Sequence, residues 1–216
     1  MNDVIGSMGL DRAGRRPNIV TAMPVPITPP PAPGEEFSTA LALINTEIEP
    51  RGEKIDLLPD GRALGAWLLA HGLRSRRGAA IPDQDVDRVR QLRSAIRAAF
   101  SARAAGRRPP RSAVRMINVA AALAPSTPRL RWSDDGPVQE RVWTESARST
   151  DIALAEIAAN AISTLLGGCG DRLRLCEAHG CNRMFIADHR RRRWCSRTCG
   201  DRVRVARHYR KLDRLG

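Results

Sequence analysis

The sequence predicts a mainly α-helical fold, in which a helical domain with one small β-hairpin precedes a short C-terminal segment built as a hairpin and a helix around four cysteines. Apolar residues recur every three or four positions in several segments, as they do on the buried face of a helix. Four of the five cysteines lie close together near the C-terminus. Apolar residues make up 42% of the chain but aromatic residues only 4%, so we expect an aliphatic core.

Composition divides the chain into three parts. Residues 1–34 are rich in proline and lack periodicity, and such a segment does not bury enough apolar surface to offset the entropy lost on ordering. We therefore expect residues 1–34 to be a disordered leader. Residues 35–170 form the predicted helical domain, and residues 171–216 form the cysteine-containing segment.

The first two predicted helices lie on either side of a loop. A helical pattern begins at Glu35 and carries the apolar residues Phe37, Leu41, Ile44 and Ile48. A second helix is predicted over 63–73. Its N-cap is Asp60, a residue type whose side chain accepts hydrogen bonds from the first turn.

Three further helices and the hairpin follow. The longest helix is predicted from Asp83 to Ala105, with one apolar stripe and with arginines on its other faces that we expect to be solvated. A helix over 112–123 should direct Val114 and Ile117 inward. Alternation over 128–143 around an Asp-Asp-Gly turn predicts the hairpin. The last helix begins at Ser149, and its largely apolar circumference suggests the centre of the domain.

The cysteines form two short-spaced pairs. Four residues separate Cys176 from Cys181, three separate Cys195 from Cys199, and thirteen lie between the pairs. Two such thiol pairs suit a tetrahedral zinc ion, because each pair occupies one edge of the tetrahedron. A bound zinc ion also stabilises a segment that is too short to build a large core. We therefore predict one zinc ion held by Cys176, Cys181, Cys195 and Cys199.

Alternatives to this ligand set remain open at the level of sequence. Disulfides are one, although no secretion signal precedes the cysteines and reducing compartments disfavour them. His179 and His189 lie in the same window, and His179 could replace Cys181 as a ligand. The fifth cysteine, Cys169, is interpreted as a small buried apolar residue.

The motifs of this segment resemble the CGNR zinc finger. The resemblance rests on Cys-x4-Cys, a following Phe, basic residues, Arg-Trp-Cys-Ser and Cys-Gly-Asp-Arg, and it covers Leu173 to Arg210. One departure is Asp201, which occupies the position of the Asn in the family's name. The replacement keeps an acceptor oxygen but loses the amide donor and adds a charge.

The resemblance also implies an N-terminal partner domain. CGNR fingers end a group of bacterial proteins described as stress-induced transcription regulators, whose larger N-terminal part is the ABATE domain. The run Ala-Leu-Ala-Leu-Ile-Asn-Thr-Glu resembles the signature at the start of that domain. Its polar residues Asn45 and Thr46 could contact a small ligand. The alternative is that they bond to nearby backbone at a helix end, as these residue types commonly do.

Positive charge is concentrated in the finger. The chain carries a net charge of +13. Residues 172–216 hold fourteen Arg and Lys against four Asp and Glu, a net of +10, and the remaining residues carry only +3. A basic segment of this kind predicts a polyanionic partner. The predicted nucleic-acid-binding residues are Arg190, Arg191, Arg192, Arg193, Arg202, Arg204, Arg207, Arg210 and Lys211.

Inside the finger, Ser196 should cap a helix that begins beside Cys199. We expect Val205, Tyr209 and Leu212 of this helix to pack toward the finger's hairpin. Phe185 and Trp194 should form its small apolar core.

The functional prediction is a transcription regulator that binds DNA through its zinc finger, with the helical domain as the sensor of an unidentified small molecule or stress signal. The alternative is a zinc-stabilised module that binds protein or RNA. The chain lacks the common catalytic motifs, so we do not expect an enzyme. No apolar run suits a membrane span and no signal peptide is recognisable, so we expect a cytoplasmic protein without a membrane partner. Self-association into a homo-oligomer is a further expectation.

Overall fold

The structure is a computed structural model that describes residues 29–73, 81–144 and 147–212. The side chains of Arg51, Lys211 and Leu212 lie outside the description, as do residues 1–28 of the predicted leader. The predicted fold class is confirmed: six helices and three two-stranded antiparallel hairpins form the described chain.

The helices are α1 (Thr39–Ile44), α2 (Gly61–Ala70), α3 (Asp83–Ala104), α4 (Arg111–Ala121), α5 (Ser149–Leu166) and α6 (Arg197–Leu212). The strands are β1 (Glu47–Ile48), β2 (Ile55–Asp56), β3 (Ser126–Ser133), β4 (Gly136–Trp143), β5 (Leu173–Leu175) and β6 (Met184–Ile186). Strands pair as β1 with β2, β3 with β4 and β5 with β6, and every pair is antiparallel.

Local signals account for several helix starts. The Asp60 carboxylate accepts a hydrogen bond from the Ala63 amide at 2.8 Å, as predicted for the cap of α2. Ser38 caps α1 in the same way through the Leu41 amide at 3.2 Å. Pro82 and Pro110 directly precede α3 and α4, where a missing N–H costs nothing.

Helix α3 is the centre of the helical domain, and it packs against α1, α2, α4 and α5. Its predicted apolar stripe is buried without exception, at Val86, Val89, Leu92, Ile96 and Phe100. The largely apolar circumference of α5 predicts that α5, not α3, is central. Helix α5 is also deeply buried, but it packs mainly on α4, α1 and α3, so it forms one wall of the core.

Two arginines of α3 do not lie on a solvated surface, contrary to expectation. Arg93 is only 4% exposed and donates to both carboxylate oxygens of Asp56 at 2.7 Å. Arg97 is half-buried and donates to the main-chain carbonyl of Glu47, just after α1, at 3.1 Å. A buried guanidinium is tolerated here because carboxylate and carbonyl acceptors satisfy it.

Helices α1 and α4 differ from the expected pattern. Helix α1 begins only at Thr39, so Phe37 is exposed and Ile48 falls in β1. Val114 of α4 is also exposed, whereas Ile117 is buried as expected.

Part of the predicted leader packs against the C-terminal segment. Ala32 is buried, and the Pro33 carbonyl accepts a hydrogen bond from the Ile186 amide at 2.8 Å. Gly34 has a φ of +99° and lies against Ile186, where a Cβ would come within 2.8 Å of that side chain. Residues 29–34 therefore belong to the folded unit.

The β3–β4 hairpin forms in the predicted place, with its turn at Asp134-Asp135. Its strands pair fully with each other, and no other described helix or strand packs extensively on them. Within the described residues, no helix is both long enough and apolar enough to span a membrane.

The start of α2 generates a test of packing. A Cβ built on Gly61 would lie 1.8 Å from the main-chain oxygen of Ile81, and backbone cannot move aside cheaply. We expect Gly61→Ala to lower the free energy of unfolding by at least about 2 kcal/mol, measured by urea denaturation. Gly168→Ala is the control, because no atom lies within 4 Å of its Cβ position. An equal effect of the two substitutions would contradict this packing.

Candidate metal centre and its basic surface

The first cysteine pair lies on the β5–β6 hairpin. Cys176 follows β5, and its amide donates to the Arg183 carbonyl at 2.9 Å. The chain then turns through Gly180, whose φ of +64° is one that L-residues rarely adopt, and the Cys181 amide donates to the Ala178 carbonyl at 3.1 Å. This turn brings Cys181 back beside Cys176.

The second pair joins a loop to a helix. The Cys195 amide donates to the Cys176 sulfur at 3.4 Å, which ties the two pairs together. Ser196 caps α6 by accepting from the Cys199 amide at 3.1 Å, as predicted. Cys199 therefore lies in the first turn of α6, where the helix dipole favours a thiolate.

The four sulfur atoms form one compact cluster. All lie within 4.8 Å of one another, with Cys181 at 3.8 Å and Cys199 at 3.7 Å from Cys195. Four sulfurs at about 2.3 Å from a tetrahedral zinc ion would be about 3.8 Å apart. All five cysteines are free thiols, so the disulfide alternative is not supported. The donor set is positioned to bind one metal ion, consistent with one zinc.

The electrostatics of the cluster call for a cation. Hydrogen bonds from Cys181 and Cys195 hold the pKa of Cys176 far below its ordinary value. The pKa of Cys195 is raised, first by its hydrogen bond to Cys176, then by that to Cys181 and by burial. The cluster thus favours deprotonation of one cysteine and disfavours deprotonation of a second. A divalent cation removes this opposition, because it offsets the charge of several thiolates at once.

Neither nearby histidine belongs to the cluster. His179 and His189 are both exposed, and the group of potential ligand atoms found among the described residues contains cysteines alone. His189 instead lies beside Asp188, with Nε2 at 3.6 Å from its carboxylate. The alternative in which His179 replaces Cys181 is therefore not supported.

The residues after Cys199 have separate roles around the metal site. A Cβ on Gly200 would lie 3.1 Å from the ring of Trp194, so glycine leaves room for this side chain. Arg202 directs a guanidinium N–H toward the Cys199 sulfur at 3.8 Å. Asp201 is exposed and accepts a hydrogen bond from Arg204. The departure from the family's Asn thus lies on the surface, away from the sulfurs.

Strand β6 joins the finger to the helical domain. Met184 and Ile186 point into the main core, together with Leu173 of β5. Phe185, between them, is fully buried in the small core of the finger, and Trp194 packs against that core as predicted. The finger is therefore continuous with the helical domain.

Asn45 is a structural bridge between the two parts. Its side-chain amide donates to the Met184 carbonyl at 2.8 Å and to Glu35 at 2.6 Å, and its oxygen accepts from the Met184 amide at 2.9 Å. Thr46 donates to the Leu43 carbonyl and accepts from Arg93. Both side chains are buried and engaged, so the predicted small-ligand contact is not supported.

Further polar contacts that sequence reasoning missed hold the loop after Cys181. Arg97 donates to the Asn182 carbonyl at 2.8 Å, and Arg183 donates to Glu35 at 2.9 Å. Asn182 in turn donates to the Glu47 carbonyl at 3.2 Å. The sequence contains one signal of buried arginines, because Arg93 and Arg97 stand one helical turn apart beside the apolar stripe of α3.

The predicted basic residues fall into two groups. Arg190, Arg191, Arg207 and Arg210 are exposed, and no carboxylate of the described residues pairs with them. Arg192, Arg193 and Arg204 pair with Asp188, Glu177 and Asp201. Exposed ion pairs of this kind are weak, so a phosphate can replace the carboxylate. Arg202 faces Cys199, and the side chain of Lys211 lies outside the description.

A groove of about 290 Å³ lies between the loop before Cys195 and the start of α6. Its basic lining consists of Arg191, Arg192, Arg193, Arg197 and Arg204. Arg197 was missed by the sequence analysis, because its proximity to the other arginines depends on the fold of the finger. The groove is rich in guanidinium donors suited to an oxyanion.

The predicted apolar packing of α6 is wrong. Val205 is 54% and Tyr209 63% exposed, so they do not pack toward the hairpin. Val203 is the side chain that packs on the finger core. The side chain of Leu212 lies outside the description.

The metal centre generates a test with an internal control. We expect purified protein to contain about one zinc per chain, measured by mass spectrometry of the metal, and Cys195→Ser to lose it because three thiolates bind zinc less tightly than four. Cys169→Ser should retain the metal, because Cys169 lies outside the cluster. His179→Ala and His189→Ala should also retain it. Full zinc content in Cys195→Ser would contradict the assignment.

Asn45 generates a test of the bridge. Asn45→Ala removes both main-chain hydrogen bonds to Met184, and we expect it to lower the free energy of unfolding by about 2–4 kcal/mol. Zinc affinity should fall with it, because the same residue fixes the loop after Cys181. Asn118→Ala, on the exposed face of α4, is the matched control for both measurements. Unchanged zinc affinity in a destabilised Asn45→Ala protein would show that the two parts are uncoupled.

Comparison with known families identifies both parts. The ABATE family, described as "Putative stress-induced transcription regulator", matches residues 38–168. The CGNR zinc finger matches residues 172–211 and follows it in the chain. Both resemblances drawn from the motifs are thereby confirmed. A comparison with curated proteins found no match. Because the first match covers more than half of the chain, this protein belongs to the ABATE family and carries a C-terminal CGNR zinc finger.

Proposed function

We propose that the chain is a non-enzymatic transcription regulator that binds duplex DNA through its zinc finger. The observation that carries the proposal is the groove beside the metal centre, where five arginines converge on a cavity of about 290 Å³. Each guanidinium group can donate two parallel hydrogen bonds to the oxygens of one phosphate, and it remains charged at every physiological pH. A groove of this composition suits the phosphates of a nucleic-acid backbone.

The surroundings of the groove extend this surface. Arg190 lies on the adjoining loop, while Arg207 and Arg210 continue along the exposed side of α6. Helix α6 has 16 residues and is about 24 Å long, with Cys199 in its first turn. A helix of this length can follow a DNA groove while the arginines around its start hold the backbone. Arg207 is the candidate for base contact, because no described carboxylate engages it.

The helical domain is the candidate sensor. Asn45, Arg97 and Glu35 contact the residues that follow Cys181. A signal that displaced α1 or α3 would therefore alter the finger directly.

One observation favours the alternative function. Val205 and Tyr209 are exposed on α6, and an exposed apolar residue beside an aromatic one suits a protein partner or stacked RNA bases. Competition between duplex DNA and single-stranded RNA for the full chain separates these possibilities. Preference for RNA, or failure to bind either nucleic acid at low salt, would favour the alternative.

The groove generates the test of DNA binding. The full zinc-loaded chain should bind random duplex DNA, and log affinity should fall linearly with log salt by about 0.9 per phosphate contact. Arg191→Ala combined with Arg197→Ala should reduce that slope by about 2 and weaken binding to all sequences alike, measured by fluorescence anisotropy.

The matched control removes the same charge elsewhere. Arg108→Ala combined with Arg111→Ala changes two exposed arginines at the start of α4. This pair should leave the salt slope unchanged. If it weakens binding as much as the groove variant does, the interaction is a general response to net charge and the groove assignment is wrong.

A further inference from the structure

No residue of the β3–β4 hairpin is buried. Its eight-residue strands are in register from the pair Ser126–Trp143 to the pair Ser133–Gly136. No other described helix or strand packs extensively on it. A two-stranded hairpin is only marginally stable in water by itself, and a further layer or strand usually supports it. The hairpin therefore has the form of an element that packs against a partner.

The register divides the hairpin into two faces. Residues directly opposite each other lie on the same face, so Pro128, Leu130 and Trp132 share a face with Arg141, Gln139 and Pro137. Leu130 is 69% and Trp132 74% exposed. The other face carries Arg129 and Arg131, which both pair with Glu140. The first face thus carries the most exposed apolar side chains, while the second combines these ion pairs with the less exposed Val138 and Val142.

Charge on the hairpin differs from charge on the rest of the molecule. Residues 126–143 contain three arginines and three carboxylates, so the hairpin is neutral within a chain of +13. Asp134 and Asp135 lie exposed at the turn. Arg141 lies near the other end and donates to Ser126 at 3.4 Å. It also lies near Glu156 of α5, whose pKa is raised by burial and lowered in part by Arg141. An acidic turn disfavours phosphate, and the neutrality of the hairpin means that two hairpins meet without local charge repulsion.

We propose that the apolar face of this hairpin docks on the same face of a second copy, with the two hairpins antiparallel about a two-fold axis near Leu130. Such an interface uses the same patch on both subunits. Leu130 then meets its counterpart at the axis, and Trp132 lies over Pro128 and Arg141 of the partner subunit. An arginine over an indole ring is a favourable cation–π contact once water is excluded.

The same arrangement matches the charges at both ends. An antiparallel pairing brings the acidic turn of each hairpin toward the arginine-bearing end of the other. Asp134 and Asp135 therefore approach Arg141 of the partner subunit, and the contact occurs twice. A parallel pairing would instead place the two acidic turns together. The charge pattern selects the antiparallel orientation.

The size of the face sets the expected strength. Two strands of eight residues are about 27 Å long and together about 10 Å wide, so the face covers about 270 Å². This area is smaller than the roughly 800 Å² per partner of a standard stable interface. We expect a dimer that forms and dissociates with protein concentration. A dimer with this symmetry would present two zinc fingers. Its formation does not require DNA.

The first test is sedimentation equilibrium of the full zinc-loaded chain, without nucleic acid, over a wide concentration range. The wild type should be a monomer–dimer mixture. Leu130→Ser combined with Trp132→Ser should raise the dissociation constant at least about tenfold, because both apolar contacts are lost. Leu166→Ser, at a residue that is 83% exposed on α5, is the matched control and should leave association unchanged. Helix content and zinc content should not change in any variant.

The second test uses charge reversal and mixing. Asp134→Arg with Asp135→Arg makes the turn basic, and Arg141→Asp makes the other end acidic. Each variant alone should dissociate, because like charges then meet at both ends of its homodimer. An equimolar mixture should recover dimer, because each altered end meets an opposite charge on the other variant.

Several outcomes would overturn the proposal. One is a wild type that stays monomeric at every concentration. Another is a dimer that persists unchanged when Leu130 and Trp132 are replaced, as it would if the strands paired edge to edge. A mixture of the two charge variants that associates no better than either alone would reject the antiparallel orientation.

Discussion

The structure depends on a single short strand that belongs to two hydrophobic cores. Strand β6 directs Met184 and Ile186 into the helical domain and Phe185 into the finger. This division follows from the alternation of side chains along a β-strand. Neither core is complete without the strand, so the finger and the helical domain share their stability. The zinc ion and the helices therefore support the same short segment from opposite sides.

Buried polar contacts fix that strand in place. Asn45 pairs with both main-chain groups of Met184, and so it substitutes for a neighbouring strand. Arg97 and Arg183 hold the chain on the metal side through Asn182 and Glu35. Burying guanidinium groups is costly unless their donors are satisfied. Here carbonyl and carboxylate acceptors satisfy most of them, although Nε of Arg93 and of Arg183 has no partner in the described chain. These contacts make the position of Cys181 sensitive to the helical domain.

The surface separates two kinds of chemistry. Around the metal centre, arginines line a groove and continue along α6, which favours a polyanion. On the β3–β4 hairpin, charges balance and apolar side chains are exposed, which favours another protein surface of similar character. Under the proposed function these surfaces would serve different steps, because one would contact the nucleic acid and the other would set how many fingers are presented together.

Local patterns in the sequence determined the helices, the hairpin and the metal ligands. The apolar stripe of α3, the Asp60 cap and the spacing of the cysteines all depend on residues a few positions apart, and their geometry follows from the backbone period. Only the tertiary structure decided the roles of Asn45 and Arg97, the exposure of Val205 and Tyr209, and the packing of residues 32–34. Asn45 is 139 residues from Met184, and no local pattern encodes such a contact. The buried or exposed state of a polar side chain is decided by which distant element supplies its hydrogen-bond partners.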